Sequence, residues 1–141
     1  MIDWTKRKVV VLAGGPSCER EISLISGKAV SDALVSKGIP AVMLDPIGDF
    51  LPALKDRGPT IVFLALHGTF GEDGTIQKIL EDEGIPYTGS GVAASEAAFD
   101  KSRAQDLFQK ADIRIPEFIT IEQTEPMVLP KKFSFPIVVK P

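Results

Sequence analysis

Four features of the sequence carry side chains that could do chemistry: a glycine-rich stretch, one histidine, one cysteine and two lysines. The stretch over residues 13–23 reads Ala-Gly-Gly-Pro-Ser-Cys-Glu-Arg-Glu-Ile-Ser and directly follows an apolar run. Gly14 and Gly15 lack a Cβ, so the backbone can turn sharply and a ligand can approach closely. The stretch has neither the G-x-G-x-x-G spacing of a dinucleotide site nor the Gly-Lys-Ser/Thr of a P-loop.

The only histidine, His67, stands between the apolar run of residues 60–66 and a segment rich in glycine and acidic residues. In open parallel sheets, ligands gather at the carboxyl ends of the strands. We therefore predict that His67 lies in a ligand site. The alternative at this point is a structural histidine.

Cys18 and two lysines are further candidates. Cys18 and His67 together could form a nucleophilic dyad, although a small side chain filling space beside a turn is the simpler interpretation of Cys18. Lys101 and Lys140 could be surface residues. Lys140, however, follows the apolar run of residues 137–139, which predicts a buried strand. A buried charge needs a partner such as phosphate.

The elements that must position these residues alternate between strands and helices. Apolar runs predict strands over residues 8–12, 40–44, 60–66 and 85–88. Helical spacing and capping residues predict helices over residues 19–37, 50–55 and 75–83, with Ser17 and Thr75 as caps. The first helix is expected to bury Ile22, Ile25, Ala29 and Ala33. This alternation implies right-handed crossovers, and so an α/β fold with an open parallel sheet and helices on both faces.

The composition changes after Ser90. An alanine-rich helix is predicted over residues 92–98, and Asp100 is expected to cap another helix. That second helix would carry Ala104, Leu107, Phe108 and Ala111 on one face. Residues 118–121 are predicted to be extended, residues 123–134 to be a linker and residues 135–141 to form an apolar strand. Because this last strand has no partner in the sequence, we expect the chain to be a truncated or processed form.

Composition and charge narrow the function classes. The chain has 141 residues, of which 44% are hydrophobic and 25% charged, as in an ordinary globular domain. A net charge of -3 without a block of lysine or arginine gives no electrostatic case for nucleic acid. The polar N-terminus and the absence of a long apolar run predict neither a signal peptide nor a membrane span. One cysteine excludes an internal disulfide and suits the cytoplasm.

Taken in the order of the chain, the motifs resemble those of the N-terminal part of the D-alanine–D-alanine ligase family. The members of this family are ATP-grasp enzymes of peptidoglycan synthesis. Residues 14–23 resemble the family's first substrate loop, and residues 65–68 with 71–77 resemble its second. Residues 85–91 and 100–101 follow in the family's order, and residues 135–141 resemble the strand that brings a lysine to ATP. The resemblance covers residues 8–141.

The resemblance implies an ATP-dependent reaction. ATP phosphorylates the carboxylate of a first D-alanine, and the amine of a second D-alanine attacks the acyl phosphate. Glu19 would be the catalytic residue that engages the ammonium of the first D-alanine, and His67 would lie near its carboxylate. The backbone would approach the substrate closely at Gly14, Gly15 and Gly68.

The resemblance also implies cofactors, domains and partners. Lys101 and Lys140 would bind ATP and its phosphates. The ligands of Mg²⁺, or alternatively Mn²⁺, are expected beyond residue 141, so the chain alone should be inactive. Residues 1–98 would form the substrate-binding domain, which is pre-ATP-grasp and Rossmann-like, and residues 99–141 would begin the central ATP-grasp domain. We expect a cytoplasmic homodimer that acts in cell-wall biogenesis and so in cell shape.

Two other function classes stay open. The first is a small hydrolase that uses Cys18 and His67. The second is a non-catalytic module for ligand binding or dimerisation, derived from the ligase domain. Within the ligase interpretation, these motifs leave the second substrate open between D-alanine, D-lactate and D-serine.

Overall fold

The computed structural model describes residues 3–121, 130 and 133–140. A short 3-10 helix, Trp4–Lys6, precedes the first strand. The other elements in chain order are β1 (Val9–Leu12), α1 (Arg20–Ser36), β2 (Ala41–Leu44), α2 (Leu51–Arg57), β3 (Ile61–Leu64), α3 (Thr75–Asp82), α4 (Val92–Phe99) and α5 (Lys101–Lys110). This alternation confirms the α/β class predicted from the sequence.

The three strands form one parallel sheet in the order β2-β1-β3. In the register of the sheet, Val10 of β1 lies opposite Val42 of β2 and Val62 of β3. All four residues of β1 are buried. Continuous burial explains the unbroken run of apolar residues, which is typical of a strand covered on both faces.

Different helices cover the two faces of the sheet. On one face, Val10 and Val62 pack with Leu54 of α2 and Leu80 of α3. On the opposite face, Val9, Val11 and Ala13 form a second cluster, against which Val30 and Leu34 of α1 pack. Helices therefore flank the sheet on both sides, as the sequence predicted.

Helix α1 buries a different face from the one predicted. Ile22 and Ile25 are 59% and 67% exposed, and Ser23 and Gly27 are the buried residues of the helix. A Cβ at Gly27 would lie 2.2 Å from the Cβ of Ala13. The helix therefore packs on the sheet through its smallest residues, because only these allow its axis to come so close to β1.

The predicted fourth strand, residues 85–88, is reduced to a single bridge between Val62 and Tyr87. Pro86 accepts a hydrogen bond from Val62 N–H at 2.8 Å but has no N–H of its own to extend the ladder. The Tyr87 hydroxyl donates to Glu81 at 2.6 Å. Burial, together with this hydrogen bond, raises the pKa of Tyr87 to about 12.

The capping predictions have mixed outcomes. Asp100 caps α5, because its carboxylate accepts a hydrogen bond from Arg103 N–H at 3.0 Å. Thr75 is instead the first residue of α3, and Asp73 accepts its N–H at 3.0 Å. Ser17 lies three residues before the start of α1 and accepts a hydrogen bond from Glu19 N–H at 3.1 Å. Ser17 and Thr75 are therefore not the N-caps of α1 and α3, and Glu19 and Gly74 hold these positions.

The described residues after Asp100 are packed less than expected. Leu107 and Phe108 of α5 are exposed, so the predicted apolar face of this helix is not buried by the described part of the chain. Residues 133–140 form no strand, and Val138 and Val139 are 81% and 75% exposed. A strand needs a neighbour for its backbone hydrogen bonds, and no described strand lies beside this segment.

Some predictions concern residues whose structure is not described. The predicted linker over residues 123–134 lies outside the described residues, apart from residues 130, 133 and 134. The domain boundary after residue 98 stays a prediction. Among the helices of the described part of the chain, none is long and apolar enough to cross a membrane.

Candidate functional site

The candidate site lies at the carboxyl ends of the neighbouring strands β1 and β3. We call residues 13–19, which follow β1, the first loop, and residues 65–74, which follow β3, the second loop. The first loop leads into α1 on one face of the sheet, whereas the second leads into α3 on the other. Neighbouring parallel strands whose connections leave on opposite faces open a crevice between their loops, and ligands of such sheets bind there.

The first and second loops touch at Glu19 and Gly68. A Cβ at Gly68 would lie 2.6 Å from Glu19 Oε2 and 2.6 Å from Ser17 Oγ. The Glu19 carboxylate therefore lies directly against the backbone of the second loop, in space that only glycine leaves free. Gly68 has a φ of +67°, which glycine adopts without strain. The structure thus brings together two of the residues that the sequence singled out, and Glu19 remains exposed to solvent.

His67 is held between α1 and the second loop. Its Nε2 lies 3.1 Å from the hydroxyl of Ser26, and its Nδ1 lies 3.8 Å from Oε1 of Glu72. The other carboxylate oxygen of Glu72 accepts the N–H of Gly68 at 3.0 Å. His67 and Glu19 therefore lie on the two loops that meet at Gly68.

Gly14 and Gly15 are required by the turn of the first loop, with φ of +98° and +77°. Gly14 N–H donates to Ser23 Oγ at 2.8 Å, and Gly15 N–H donates to Asp45 Oδ1 at 2.9 Å. A Cβ at Gly14 would lie 2.6 Å from the same Asp45 oxygen. These glycines therefore make room for protein groups, and their predicted contact with a substrate stays a prediction.

Asp45 is a site residue that sequence reasoning missed. It pairs with Arg20 at 2.5 Å, and both side chains are about two-thirds buried. Burial alone would raise the pKa of Asp45, but hydrogen bonds from Arg20 and Gly15 N–H outweigh it, so the pKa lies below its usual value. The hydrogen bond to Asp45 raises the pKa of Arg20. The available signal was the position of Asp45, which directly follows β2 at the same edge of the sheet.

Ser23 is a second residue that sequence reasoning missed. It is fully buried. Its oxygen accepts the N–H of Gly14 at 2.8 Å, and its hydroxyl donates to the carbonyl of Ala65 at 2.7 Å. One side chain therefore joins the start of the first loop to the start of the second. The signal was a serine one helical turn into α1, at a position that faces the sheet.

The second loop is fixed by its own polar side chains. Asp73 accepts the N–H groups of Phe70 at 2.9 Å and Thr75 at 3.0 Å. Burial alone would raise the pKa of Asp73, but these hydrogen bonds outweigh it and lower the pKa. Gln77, which is buried, donates its side-chain N–H to the carbonyl of Gly71 at 2.9 Å. Phe70, with a φ of +72°, packs edge-on against Phe50.

The remaining predicted site residues lie apart from this arrangement. Cys18 is exposed, and the described polar contacts of His67 go to Ser26 and Glu72, so no Cys18–His67 dyad is formed. Lys101, the first residue of α5, and Lys140 are both exposed. The expectation that Lys140 ends a buried strand is wrong, because the segment before it forms no strand and no described strand lies beside it. Within the described residues, no hydrogen bond or ion pair joins either lysine to the two loops.

Neither implied cofactor is matched by a complete site. Among the described residues, no three histidine, cysteine or acidic side chains are grouped so that they could hold a metal ion. These residues therefore do not fit a Mg²⁺ site, and no step of a reaction can be assigned to a metal here. The two exposed lysines alone do not define a nucleotide pocket.

The fold and the site define an α/β domain with an open parallel sheet and a crevice between the loops after β1 and β3. Residues 51–90 match the family model described as D-ala D-ala ligase N-terminus. Over 135 residues, the chain is 52% identical to a D-alanine–D-alanine ligase of Nitrosospira multiformis and 50% identical to one of Neisseria gonorrhoeae. These alignments cover 95% of this chain but only 44% of each relative.

Solved structures show the same relationship. The ATP complex of a D-alanine–D-alanine ligase from Bacillus anthracis matches with a TM-score of 0.77 at 30% identity, over 89% of this chain and 43% of that one. A D-alanyl-alanine synthetase A from Vibrio cholerae matches with a TM-score of 0.64 at 27% identity, over 77% of this chain and 38% of that one. By sequence and by fold, the chain corresponds to the N-terminal portion of the D-alanine–D-alanine ligase family, which confirms the resemblance. It spans less than half the length of these relatives.

Proposed function

We propose that the chain supplies the first-substrate region of an ATP-dependent ligase that joins two D-alanines into D-alanyl-D-alanine for peptidoglycan synthesis. The observation that carries the proposal is the contact of the Glu19 carboxylate with Gly68, the residue next to His67. The relatives and solved structures that match the chain are D-alanine–D-alanine ligases, which supports the choice of substrate.

The chemistry of an amino acid fits this pair of side chains. A zwitterion carries an ammonium and a carboxylate on one carbon. Two side chains, one a hydrogen-bond acceptor and the other a donor, can therefore hold it at both ends. Glu19 would accept hydrogen bonds from the ammonium, and the imidazole of His67 would donate to the carboxylate. The Asp45–Arg20 ion pair and the Ser23 hydroxyl would keep the first loop in place, because they bond its backbone.

ATP and a divalent metal belong to the same proposal. Lys101 and Lys140 would bind the nucleotide, since lysines can neutralise the charge that develops on a transferred phosphoryl group. The Bacillus anthracis ligase was solved as a complex with ATP, which supports ATP as the nucleotide. Mg²⁺, or alternatively Mn²⁺, would need ligands other than the described residues, which hold no suitable cluster.

We also propose a homodimer in the cytoplasm. Ile22 and Ile25 of α1 are exposed, which favours a partner surface on this helix. A reducing compartment would keep the exposed Cys18 as a free thiol. The same apolar stripe is what a non-catalytic dimerisation module would present. Sedimentation of the chain at several concentrations, compared with its Ile22→Ser/Ile25→Ser variant, tests the dimer separately from catalysis.

The decisive experiment uses a protein that contains this chain and matches the full length of its relatives. We call it the longer protein. Incubation with D-alanine, ATP and Mg²⁺ should produce D-alanyl-D-alanine, detected by mass spectrometry, and release phosphate. L-alanine should support neither. The 141-residue chain alone should give no dipeptide. Binding of D-alanine by the longer protein without any ATP consumption would favour the non-catalytic module instead.

A further inference from the structure

Ser26 is not among the residues that the sequence singled out, yet it makes a contact with His67. It lies in the second turn of α1, and its hydroxyl oxygen is 3.1 Å from Nε2 of the imidazole. The two residues are 41 positions apart, and both are partly buried. The contact joins the helix that follows β1 to the residue that begins the polar part of the second loop.

The direction of this hydrogen bond follows from the surroundings. Within the described residues, the Ser26 hydroxyl has no hydrogen-bond partner other than His67. Among these residues its proton therefore finds an acceptor only if Ser26 donates to Nε2. On the other side of the ring, Nδ1 faces Glu72 Oε1 at 3.8 Å. A carboxylate oxygen favours a proton on the nitrogen that faces it and disfavours a lone pair there. Both neighbours therefore favour the same neutral form, with the proton on Nδ1.

A proton on Nδ1 of His67 would have no hydrogen-bond acceptor among the described residues. At 3.8 Å, Glu72 is beyond hydrogen-bond distance. The carboxylate of Glu72 is itself held by Gly68 N–H, so its position is set by the second loop. Nδ1 thus faces residues 68–72, the same segment against which the Glu19 carboxylate lies. The imidazole of His67 and the carboxylate of Glu19 therefore both lie beside the segment of residues 68–72.

We propose that Ser26 is a positioning residue, which donates to Nε2 of His67 and so keeps the Nδ1–H as the donor for the carboxylate of the bound amino acid. This role rests on the proposed function, because it names the atom of His67 that would meet the first D-alanine. Ser26 acts only through His67. Its position inside a helix, where the neighbouring N–H groups are used by the helix, argues against a role as nucleophile.

The first test does not depend on any activity. The chain contains one histidine, so ¹⁵N NMR of the imidazole in the 141-residue chain reports on His67 alone. At about pH 8.5, where an imidazole in water is neutral, the wild-type spectrum should show a protonated Nδ1 and an unprotonated Nε2. Ser26→Ala should move the proton toward Nε2, and Ser26→Thr, which keeps the hydroxyl, should retain the wild-type pattern. A wild-type spectrum with the proton on Nε2 would overturn the proposal.

The matched control is Ser31→Ala on the same helix, at a position of similar burial whose hydroxyl has no described hydrogen bond. It should leave the imidazole spectrum unchanged. Alanine favours the helix, so neither serine variant should lower the melting temperature. A large fall in melting temperature for Ser26→Ala alone would show a structural role and count against the proposal.

The second test uses the longer protein and connects Ser26 to the substrate. Ser26→Ala should raise the KM for the first D-alanine by ~3- to 10-fold, the effect of one neutral hydrogen bond, with kcat and the KM for ATP unchanged. Ser31→Ala and Ser26→Thr should behave as wild type. If the longer protein has no ligase activity but the NMR pattern holds, only the proposed function fails. If the ligase is active and Ser26→Ala equals Ser31→Ala, the inference fails.

Discussion

The hydroxyl of Ser23 donates a hydrogen bond to the carbonyl of Ala65 at 2.7 Å, across 42 positions of the sequence. Its oxygen also accepts the N–H of Gly14 at 2.8 Å. Ser23 is fully buried. One side chain therefore sets the spacing between the first and second loops, and with it the distance between Glu19 and the backbone at Gly68.

Ser23→Ala should lower the free energy of unfolding by about 2–4 kcal/mol, because a buried N–H and a buried carbonyl each lose their partner. Urea unfolding of the 141-residue chain, followed by circular dichroism, measures this loss. Ser36→Ala is the control: its hydroxyl also donates to a backbone carbonyl, of Ala33, but in an exposed position, so its cost should stay below about 0.5 kcal/mol. Equal effects of both variants would contradict the role assigned to Ser23.

Gly27→Ala should destabilise the chain by about 1–3 kcal/mol, because the new Cβ would lie 2.2 Å from the Cβ of Ala13. The sign is informative, since alanine in a helix interior normally stabilises by up to about 1 kcal/mol. Removing the opposing methyl group provides the check. The double variant Gly27→Ala/Ala13→Gly should regain part of the loss, and a double variant that is less stable by the sum of both changes would contradict the proposed clash.

Stability should fall at acidic pH in a way that depends on Asp45. The pKa of Asp45 in the folded chain lies below its ordinary value of 3.8, so the unfolded chain takes up the proton first. The stabilisation is therefore complete above about pH 5 and is lost as the pH falls through the lowered folded-state pKa. Asp45→Asn should flatten the pH dependence of unfolding in this range. Asp49→Asn, an exposed change in the loop before α2, should preserve the wild-type curve.

Glu19→Gln and His67→Ala in the longer protein should raise the KM for the first D-alanine and leave the KM for ATP near wild type. For Glu19, the loss of a charge partner is worth ~2–4 kcal/mol, or roughly 30- to 1000-fold in affinity. Glu21→Gln is the matched control, an exposed carboxylate two residues away in the first turn of α1. Steady-state kinetics in which only the KM for ATP changed would contradict the assignment of these residues to the first D-alanine.

Cys18→Ala should change turnover of the longer protein only modestly, since Cys18 is exposed and the described contacts of His67 go to other residues. Alkylation of the thiol should have a similarly small effect, apart from the bulk of the reagent. Loss of several hundredfold in kcat for Cys18→Ala would instead revive the hydrolase interpretation.

Local patterns in the sequence were enough to predict much of the fold. Apolar runs located the three described strands of the sheet. The predicted ends of α1 and α3 lie one residue beyond the observed ends, directly before Gly38 and Gly84, where the backbone takes a positive φ. Asp100 was identified as a cap from its position alone. Each of these features depends on residues within about four positions, and the physical preferences that produce them act at that range.

The site was predicted only in part, because many of its contacts join residues that are far apart in the sequence. Glu19, His67 and Gly68 were predicted because loops at strand ends are easy to recognise, and their roles, which come from the resemblance to a family, stay predictions. Ser23, Ser26 and Asp45 were missed, since a serine in a helix or an aspartate after a strand is common. Their partners are 9 to 42 positions away.

By itself, the sequence determined the α/β class, the order of the elements and the two loops that hold the candidate site. Short sequence patterns are enough for this, because they indicate local conformational preferences and the ends of strands. The tertiary structure decided which face of α1 is buried. Helical spacing favours Ile22 and Ile25, but the short distance to β1 admits only Ser23 and Gly27. Packing against Ala13 outweighed hydrophobicity, and that same rotation of the helix brought Ser26 to His67.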